Sequence, residues 1–91
     1  MTQHVVAAIE KNSREVLRVA LDEFKGHRLV NLRVWFETAE GELRPGKHGI
    51  AIRVEKLEAL ISALIKTRGL ANEVGWLPPA IRSAILRRDL Q

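Results

Sequence analysis

Alternating apolar and polar residues between Arg28 and Thr38 form the clearest pattern in the chain. A period of two over this length is typical of a half-buried β-strand. The apolar positions are Val30, Leu32, Val34 and Phe36, and the opposite face carries Asn31, Arg33 and Trp35. Trp35 therefore shares the polar face with Arg33, although a large aromatic side chain usually belongs to the core face.

The Trp35 and Arg33 pair has two interpretations. An aromatic ring beside a guanidinium on an exposed sheet face suits the stacking of unpaired bases and the binding of their phosphates. The structural alternative is that Trp35 packs under a loop or against a second subunit. Taken alone, the pattern favours the structural alternative.

The flanking segments predict more strands separated by turns. Residues 1–14 permit a strand or a short helix, and their alternation favours the strand. Gly26 suits a reversal that needs a positive φ between Lys25 and His27. Pro45 and Gly46 mark a turn at which regular pairing fails, because proline lacks an amide donor. The predicted strands of the sheet are residues 15–24, residues 28–38, a segment beginning at Leu43, and residues 50–54.

Apolar residues then recur at helical spacing from Glu55 to Thr67, and Gly69 suits the end of that helix. The apolar stripe is wide enough to cover a sheet and still contact a second subunit. Pro78 and Pro79 can open a second, short basic helix. The predicted organisation is an N-terminal segment at residues 1–14, a ββββα domain at residues 15–69, and a C-terminal extension at residues 70–91.

Composition limits the class of protein. A chain of 91 residues forms one domain, and a small one gains from dimerisation. It has no cysteine, which excludes disulfides and cysteine-ligated metals and fits a reducing cytoplasm. It has no apolar run long enough to span a bilayer and no secretory signal at its start. We expect a cytoplasmic protein that does not bind membranes.

The charge is concentrated in the predicted sheet. The net charge is +4, and residues 24–53 hold six Lys or Arg against three Glu. A basic surface attracts a polyanion without implying any base sequence. By itself this excess also fits ordinary solvated charge.

Enzymatic chemistry is not indicated. The serines have no nucleophile-elbow motif and lie far in sequence from the histidines. His4, His27 and His48 are widely separated and lack the spacing of metal ligands. We expect no catalytic residue, no metal site and no cofactor.

Several spaced motifs together resemble the transcriptional positive cofactor 4 family. They are Phe24-Lys25-Gly26, a strand that ends in the aromatic pair Trp35-Phe36, a Gly41-Glu42 turn, and Arg44-Pro45-Gly46-Lys47-His48-Gly49-Ile50. The resemblance covers roughly residues 18–67. It implies a strongly curved four-stranded antiparallel sheet followed by one helix, in a symmetric dimer whose paired sheets form channels for single-stranded DNA.

The resemblance also implies a set of contact residues. The family's DNA contacts correspond to Phe24, Lys25, Arg33, Phe36, Arg44 and Lys47, with His27 and His48 at positions that are usually basic. The family's stacking tryptophan aligns with Phe36, and Trp35 stands where tyrosine is usual. Either a β-bulge turns Phe36 outward, or Trp35 is the stacking residue. His48 would bind phosphate weakly at neutral pH, because imidazole is mostly uncharged there.

The function expected from the residues and the resemblance is sequence-tolerant binding of single-stranded or melted DNA by a homodimer. Such a protein of bacterial type would act as a transcriptional cofactor or in genome maintenance, with the transcription machinery as a partner. Two alternatives stay open. One is an RNA-binding regulator that uses the same surface, and the other is a protein-interaction adaptor that docks through its helix and basic tail.

Overall fold

A computed structural model of the protein describes residues 3–80. It has a four-stranded antiparallel sheet followed by one helix, which confirms the predicted fold class. The strands lie in the order β1-β2-β3-β4. Their bounds are Gln3–Glu10 for β1, Glu15–Phe24 for β2, His27–Glu37 for β3 and Leu43–Arg53 for β4, and a short 3-10 helix at Val54–Lys56 leads into α1 at Leu57–Glu73.

The chain divides into two compact units, residues 1–57 with the sheet and residues 58–91 with most of the helix. Residues 3–10 form a strand, as the alternation favoured, and β1 pairs with β2. Pro79 and Ala80 have helical conformation, but the rest of the predicted basic helix lies outside the described residues. No helix within residues 3–80 is long and apolar enough to cross a membrane.

The β2–β3 hairpin is closed by a two-residue turn at Lys25 and Gly26. Their φ angles are +52° and +79°, as in a type I′ turn, whose twist matches that of the flanking strands. Phe24 pairs with His27, and the pairing continues without a shift to Glu15 opposite Phe36. The predicted positive φ at Gly26 is confirmed, and Lys25 shares this backbone conformation.

This register divides the sheet into two faces, because directly opposite residues of paired strands point to the same side. We call them the Trp35 face and the Val30 face. On β2 and β3, the Trp35 face comprises Val16, Arg18, Ala20, Asp22, Phe24, His27, Leu29, Asn31, Arg33 and Trp35. The Val30 face comprises Glu15, Leu17, Val19, Leu21, Glu23, Arg28, Val30, Leu32, Val34 and Phe36, with Ile50 and Ile52 of β4 beside them. The alternation in the sequence therefore separates a mixed polar face from one that is apolar except for charged residues near the two ends of the hairpin.

The segment around Pro45 differs from the prediction. The strand beginning at Leu43 and the strand at residues 50–54 are one strand, β4, and β1 supplies the fourth strand of the sheet. Regular pairing does fail near Pro45, since Arg33 pairs with Gly49 whereas Trp35 pairs with Pro45. Residues 46–48 thus bulge opposite Val34. The strand continues because it lies at the sheet edge, where proline and bulges are tolerated.

The end of α1 also differs from the prediction. The helix does not stop at Gly69 and continues to Glu73. Its cap is at Gly75, whose φ is +76°. The amide of Gly75 donates to the Asn72 carbonyl and the amide of Trp76 donates to the Ala71 carbonyl, which is the hydrogen-bond pattern of a Schellman motif.

Burial within the described residues is slight. Ala20 and Val30 are the buried hydrophobic residues, at 2% and 3% exposure. Larger apolar side chains on β1, β4 and α1 are exposed, among them Val6, Ile50, Leu64 and Leu70. This amount of exposed apolar surface is unusual for an isolated domain.

Two glycine substitutions test where the helix ends. Gly75→Ala should lower the free energy of unfolding by about 1 kcal/mol, because alanine is strained at positive φ. Gly69→Ala should raise it by about 0.5–1 kcal/mol, because a methyl group there meets no atom within 4 Å and alanine favours the helix interior. Urea denaturation followed by circular dichroism measures both. A helix ending at Gly69 would give the opposite signs.

Candidate nucleic-acid interface

A cluster of two arginines and an indole forms the centre of the Trp35 face. Arg18 of β2 lies directly opposite Arg33 of β3. The guanidinium carbon of Arg18 lies 3.9 Å from the centroid of the Trp35 ring. This is a cation–π contact, worth about 0.5–1 kcal/mol at an exposed site and more when desolvated.

A cavity of about 270 Å³ opens beside this cluster. Its lining residues are Gln3, Arg18, Ala20, Asn31, Arg33, Trp35 and Pro45. Asp22 lies next to it and accepts hydrogen bonds from Gln3 Nε2 at 3.3 Å and from Asn31 Nδ2 at 3.5 Å. The cavity itself is lined by two cations, two amides and an aromatic ring, with no carboxylate among them.

Glycines of β4 give Arg33 its position. Arg33 Nη1 donates a hydrogen bond to the Gly46 carbonyl at 3.1 Å. A methyl group on Gly49 would lie 2.8 Å from the Leu32 carbonyl oxygen and 3.0 Å from the guanidinium carbon of Arg33. Only a residue without a side chain allows the backbone of β4 and the Arg33 side chain to approach this closely.

The aromatic ring of Phe36 lies on the opposite face. The residue is paired across the sheet with Glu15 of β2 and Arg44 of β4, and Phe36 is 39% exposed. Arg44 Nη2 lies 3.2 Å from Glu42 Oε2, in an ion pair whose two members are exposed. Such a pair contributes little to stability and opens at little cost, so Arg44 stays available to a phosphate.

Glu15 brings negative charge to this end of the sheet. Hydrogen bonds from Asn12 and Lys11 to the Glu15 carboxylate lower its pKa below the ordinary value. The charges of Lys11 and His48 act in the same direction. His48 therefore has the Glu15 carboxylate in its vicinity, in addition to the β4 cations Arg44 and Lys47.

The β2–β3 turn carries the third group of predicted residues. Phe24 is 46% exposed, and the Lys25 ammonium lies 5.3 Å from its ring centroid. Phe24 and His27 form the last pair of the hairpin. Trp35 comes eight positions after His27 on β3, a distance of about 26 Å along an extended strand.

The predicted contact residues therefore lie in three places. Phe24, Lys25 and His27 are at the hairpin turn, and Arg33 and Trp35 are on the Trp35 face. The remaining place is where the end of β3 lies beside the first half of β4, with Phe36 and Arg44 on the Val30 face and Lys47 and His48 in the β4 bulge. The bulge is in β4 and not in β3, so Phe36 keeps the face of Val34. The alternative in which a bulge turns Phe36 to the side of Trp35 is wrong.

Three polar residues of the cavity were not among the predicted contacts: Gln3, Arg18 and Asn31. The hairpin register would have identified Arg18 as part of the site. A two-residue turn at Lys25 and Gly26 places Arg18 directly opposite Arg33. Asn31 was assigned to the polar face, but the sequence gave no reason to single it out. Among residues 3–80 there is no group of three or more potential ligands that could hold a metal ion.

Comparison with known families identifies the chain. The family model described as Transcriptional Coactivator p15 (PC4) matches residues 11–63, more than half of the sequence. The chain belongs to the PC4 family. The match includes β2, β3 and β4 and the first part of α1, and it confirms the resemblance to positive cofactor 4.

Solved structures of PC4 homologues have the same fold. A PC4 homologue from Burkholderia pseudomallei is 25% identical, with a TM-score of 0.68 over 74% of this chain and 90% of its own. A MoSub1–ssDNA complex is 28% identical, with a TM-score of 0.56 over 75% of this chain and 78% of its own.

A third similar structure is a bacteriophage T5 homologue of the eukaryotic coactivator, described as implicated in recombination-dependent DNA replication. It is 18% identical, with a TM-score of 0.58 over 97% of this chain and 98% of its own. At this identity the likeness supports the fold alone. A search of curated proteins found no match.

Proposed function

We propose that this PC4-family protein binds single-stranded or melted DNA as a homodimer, with little preference for base sequence. The observation that carries the proposal is the cluster of Arg18, Arg33 and Trp35 beside an open cavity. Surfaces that bind unpaired strands combine cations with aromatic rings on which bases stack, and the half-buried Trp35 ring lies at such a cavity. The similar MoSub1 protein was solved in complex with single-stranded DNA, which supports the same ligand here.

Charged side chains and aromatic rings would contact different parts of the DNA. Lys25, Arg33, Arg44 and Lys47 would neutralise phosphates, and His27 and His48 would assist when protonated. Phe24 and one or both of Trp35 and Phe36 would stack bases. Phosphates and ring faces are common to all nucleotides, so this mode of binding tolerates any sequence.

The homodimer is proposed from the exposed apolar surface. The described residues bury little, and apolar side chains on β1, β4 and α1 remain accessible. A second copy is an economical way for a chain of this size to bury such surface. It would also bring a second set of the three contact groups into one assembly.

The cellular role is proposed at the level of the family. Binding to melted DNA fits a transcriptional cofactor that works with the transcription machinery, or a role in genome maintenance, in the cytoplasm at the nucleoid. The family's description as a transcriptional coactivator supports the first role. We propose that the protein binds and does not catalyse.

A titration with labelled single-stranded DNA, duplex DNA and RNA of equal length tests which nucleic acid the protein binds. Single-stranded DNA should bind more tightly than duplex DNA, and both should weaken as salt is raised, because counterions are released on binding. The measurement is fluorescence anisotropy at two salt concentrations. Tighter binding to RNA would favour an RNA-binding regulator. An absence of binding to all three would favour a protein-interaction adaptor.

Alanine substitution of the rings tests base stacking. Trp35→Ala and Phe36→Ala should each weaken binding of single-stranded DNA by about 1–3 kcal/mol for each ring that stacks a base. The salt dependence should stay close to that of the wild type, because no charge is removed. Trp76→Ala is the matched control, since Trp76 is 82% exposed and lies outside the sheet. Wild-type affinity in both ring variants would contradict the assignment.

Alanine substitution of two β4 cations, Arg44 and Lys47, tests the phosphate contacts. Arg44→Ala and Lys47→Ala should each reduce the slope of log affinity against log salt by about 0.7, the value for one phosphate of a single strand. Lys66→Ala removes the same charge from an exposed position of α1 and should leave the slope unchanged. The wild-type slope in all three variants would show that neither Arg44 nor Lys47 contacts a phosphate of the DNA.

A further inference from the structure

Arg18 and Arg33 form an unusual pair on the Trp35 face. They lie directly opposite each other on neighbouring strands, where like charges destabilise a sheet. No carboxylate lines the cavity between them, and the nearby Asp22 accepts hydrogen bonds from Gln3 and Asn31. An anion placed between the two guanidinium groups would remove this repulsion.

Two polar atoms beside the same cavity have no hydrogen-bond partner. Within the described residues, Arg18 Nε and Asn31 Oδ1 are shielded from solvent and unpaired. The orientation of the Asn31 amide is set by Asp22, since the Nδ2 group donates to that carboxylate. A donor and an acceptor are thus left over at the cavity, and buried polar groups are normally satisfied.

The Arg18 side chain occupies a place that a base could take. Its guanidinium lies on the Trp35 ring at 3.9 Å, and nucleic-acid bases stack on the same kind of surface. The volume of about 270 Å³ is just below the range of about 300–1,000 Å³ that is usual for ligand sites, which suits a single base. The flexible aliphatic chain of Arg18 allows its guanidinium group to move away from the Trp35 ring.

We propose that this cavity takes one nucleotide of a single strand. The base replaces Arg18 on the indole of Trp35, and Asn31 Oδ1 accepts a hydrogen bond from the edge of that base. The released guanidinium turns to the adjoining phosphate, which then lies between Arg18 and Arg33. The inference rests on the proposed binding of single-stranded DNA and adds a displaceable residue, Arg18, and an edge contact, Asn31.

Each contact that the exchange breaks is replaced by another. Arg18 gives up one cation–π contact and gains a phosphate, and its unpaired Nε leaves a site where it has no partner. In a duplex the donor hydrogens on the Watson–Crick edge are already bonded to the partner base and are not available to Asn31. The pocket would therefore contribute to selection of single strands without reading their sequence.

A salt series with oligo(dT) tests the displacement of Arg18. In Arg18→Ala the slope of log affinity against log salt should fall by about 0.7, for one lost phosphate contact. Affinity at high salt, where the charge contribution is small, should equal or exceed that of the wild type, because the base no longer competes for the indole. Arg18→Lys should retain the wild-type slope.

A residue that only supports Trp35 would behave differently. Arg18→Ala would then lower affinity at every salt concentration and leave the slope unchanged, and this result would overturn the displacement. Circular dichroism and thermal unfolding of both variants verify that the sheet is intact. Arg18→Gln, which keeps part of the side-chain stem and removes the charge, should show the same decrease in slope and replaces the alanine variant if that variant does not fold.

Methylation of the base edge tests the contact of Asn31. N3-methylthymine keeps the ring face of thymine and removes its edge donor. Wild-type affinity for an oligonucleotide of this base should be lower than for oligo(dT) by about fivefold or more, the value of one hydrogen bond. In Asn31→Ala the two oligonucleotides should bind alike. Equal affinities in the wild type, or the same difference in the variant, would overturn the contact.

The outcomes separate this inference from the proposed function. A wild-type protein that does not bind oligo(dT) at low salt refutes single-strand binding itself. A wild-type protein that binds oligo(dT), with the wild-type salt slope in Arg18→Ala and no response to methylation, refutes only the nucleotide pocket.

Discussion

The two-residue turn at Lys25 and Gly26 is the constraint on which the rest of the sheet depends. Its two positive φ angles close the hairpin tightly and leave one register for β2 and β3. That register alone places Arg18 opposite Arg33. A slip of one residue in either strand would turn its side chains to the other face, and the cluster beside the cavity would be lost.

The bulge in β4 is the irregular part of the sheet beside this regularly paired hairpin. β3 stays in register with β2, and the irregularity is confined to the edge strand, where residues 46–48 have no regular partner. Glycines at both ends of this segment bring the backbone close to Arg33 and provide a carbonyl for its guanidinium. Irregular pairing on the β4 side and regular pairing on the β2 side together define the shape of the candidate site.

The sequence was informative wherever the signal was local. Alternation predicted the faces of β3 and the side-by-side placement of Arg33 and Trp35, and the periodicity predicted the helix. The choice between Gly69 and Gly75 as the helix end depends on backbone hydrogen bonds that two similar glycines do not reveal. The continuity of β4 and the partnership of Arg18 with Trp35 depend on pairing between strands, which composition does not encode.

β1 has a consequence for how far the domain can be trimmed. It lies before residues 11–63, the stretch that the family model matches, yet it pairs with β2 from Gln3 to Glu10. A shortened chain beginning at residue 11 would leave the amide and carbonyl groups of β2 along that side without partners. Such an open edge recruits strands from other molecules, so the minimal family segment would tend to self-associate and aggregate.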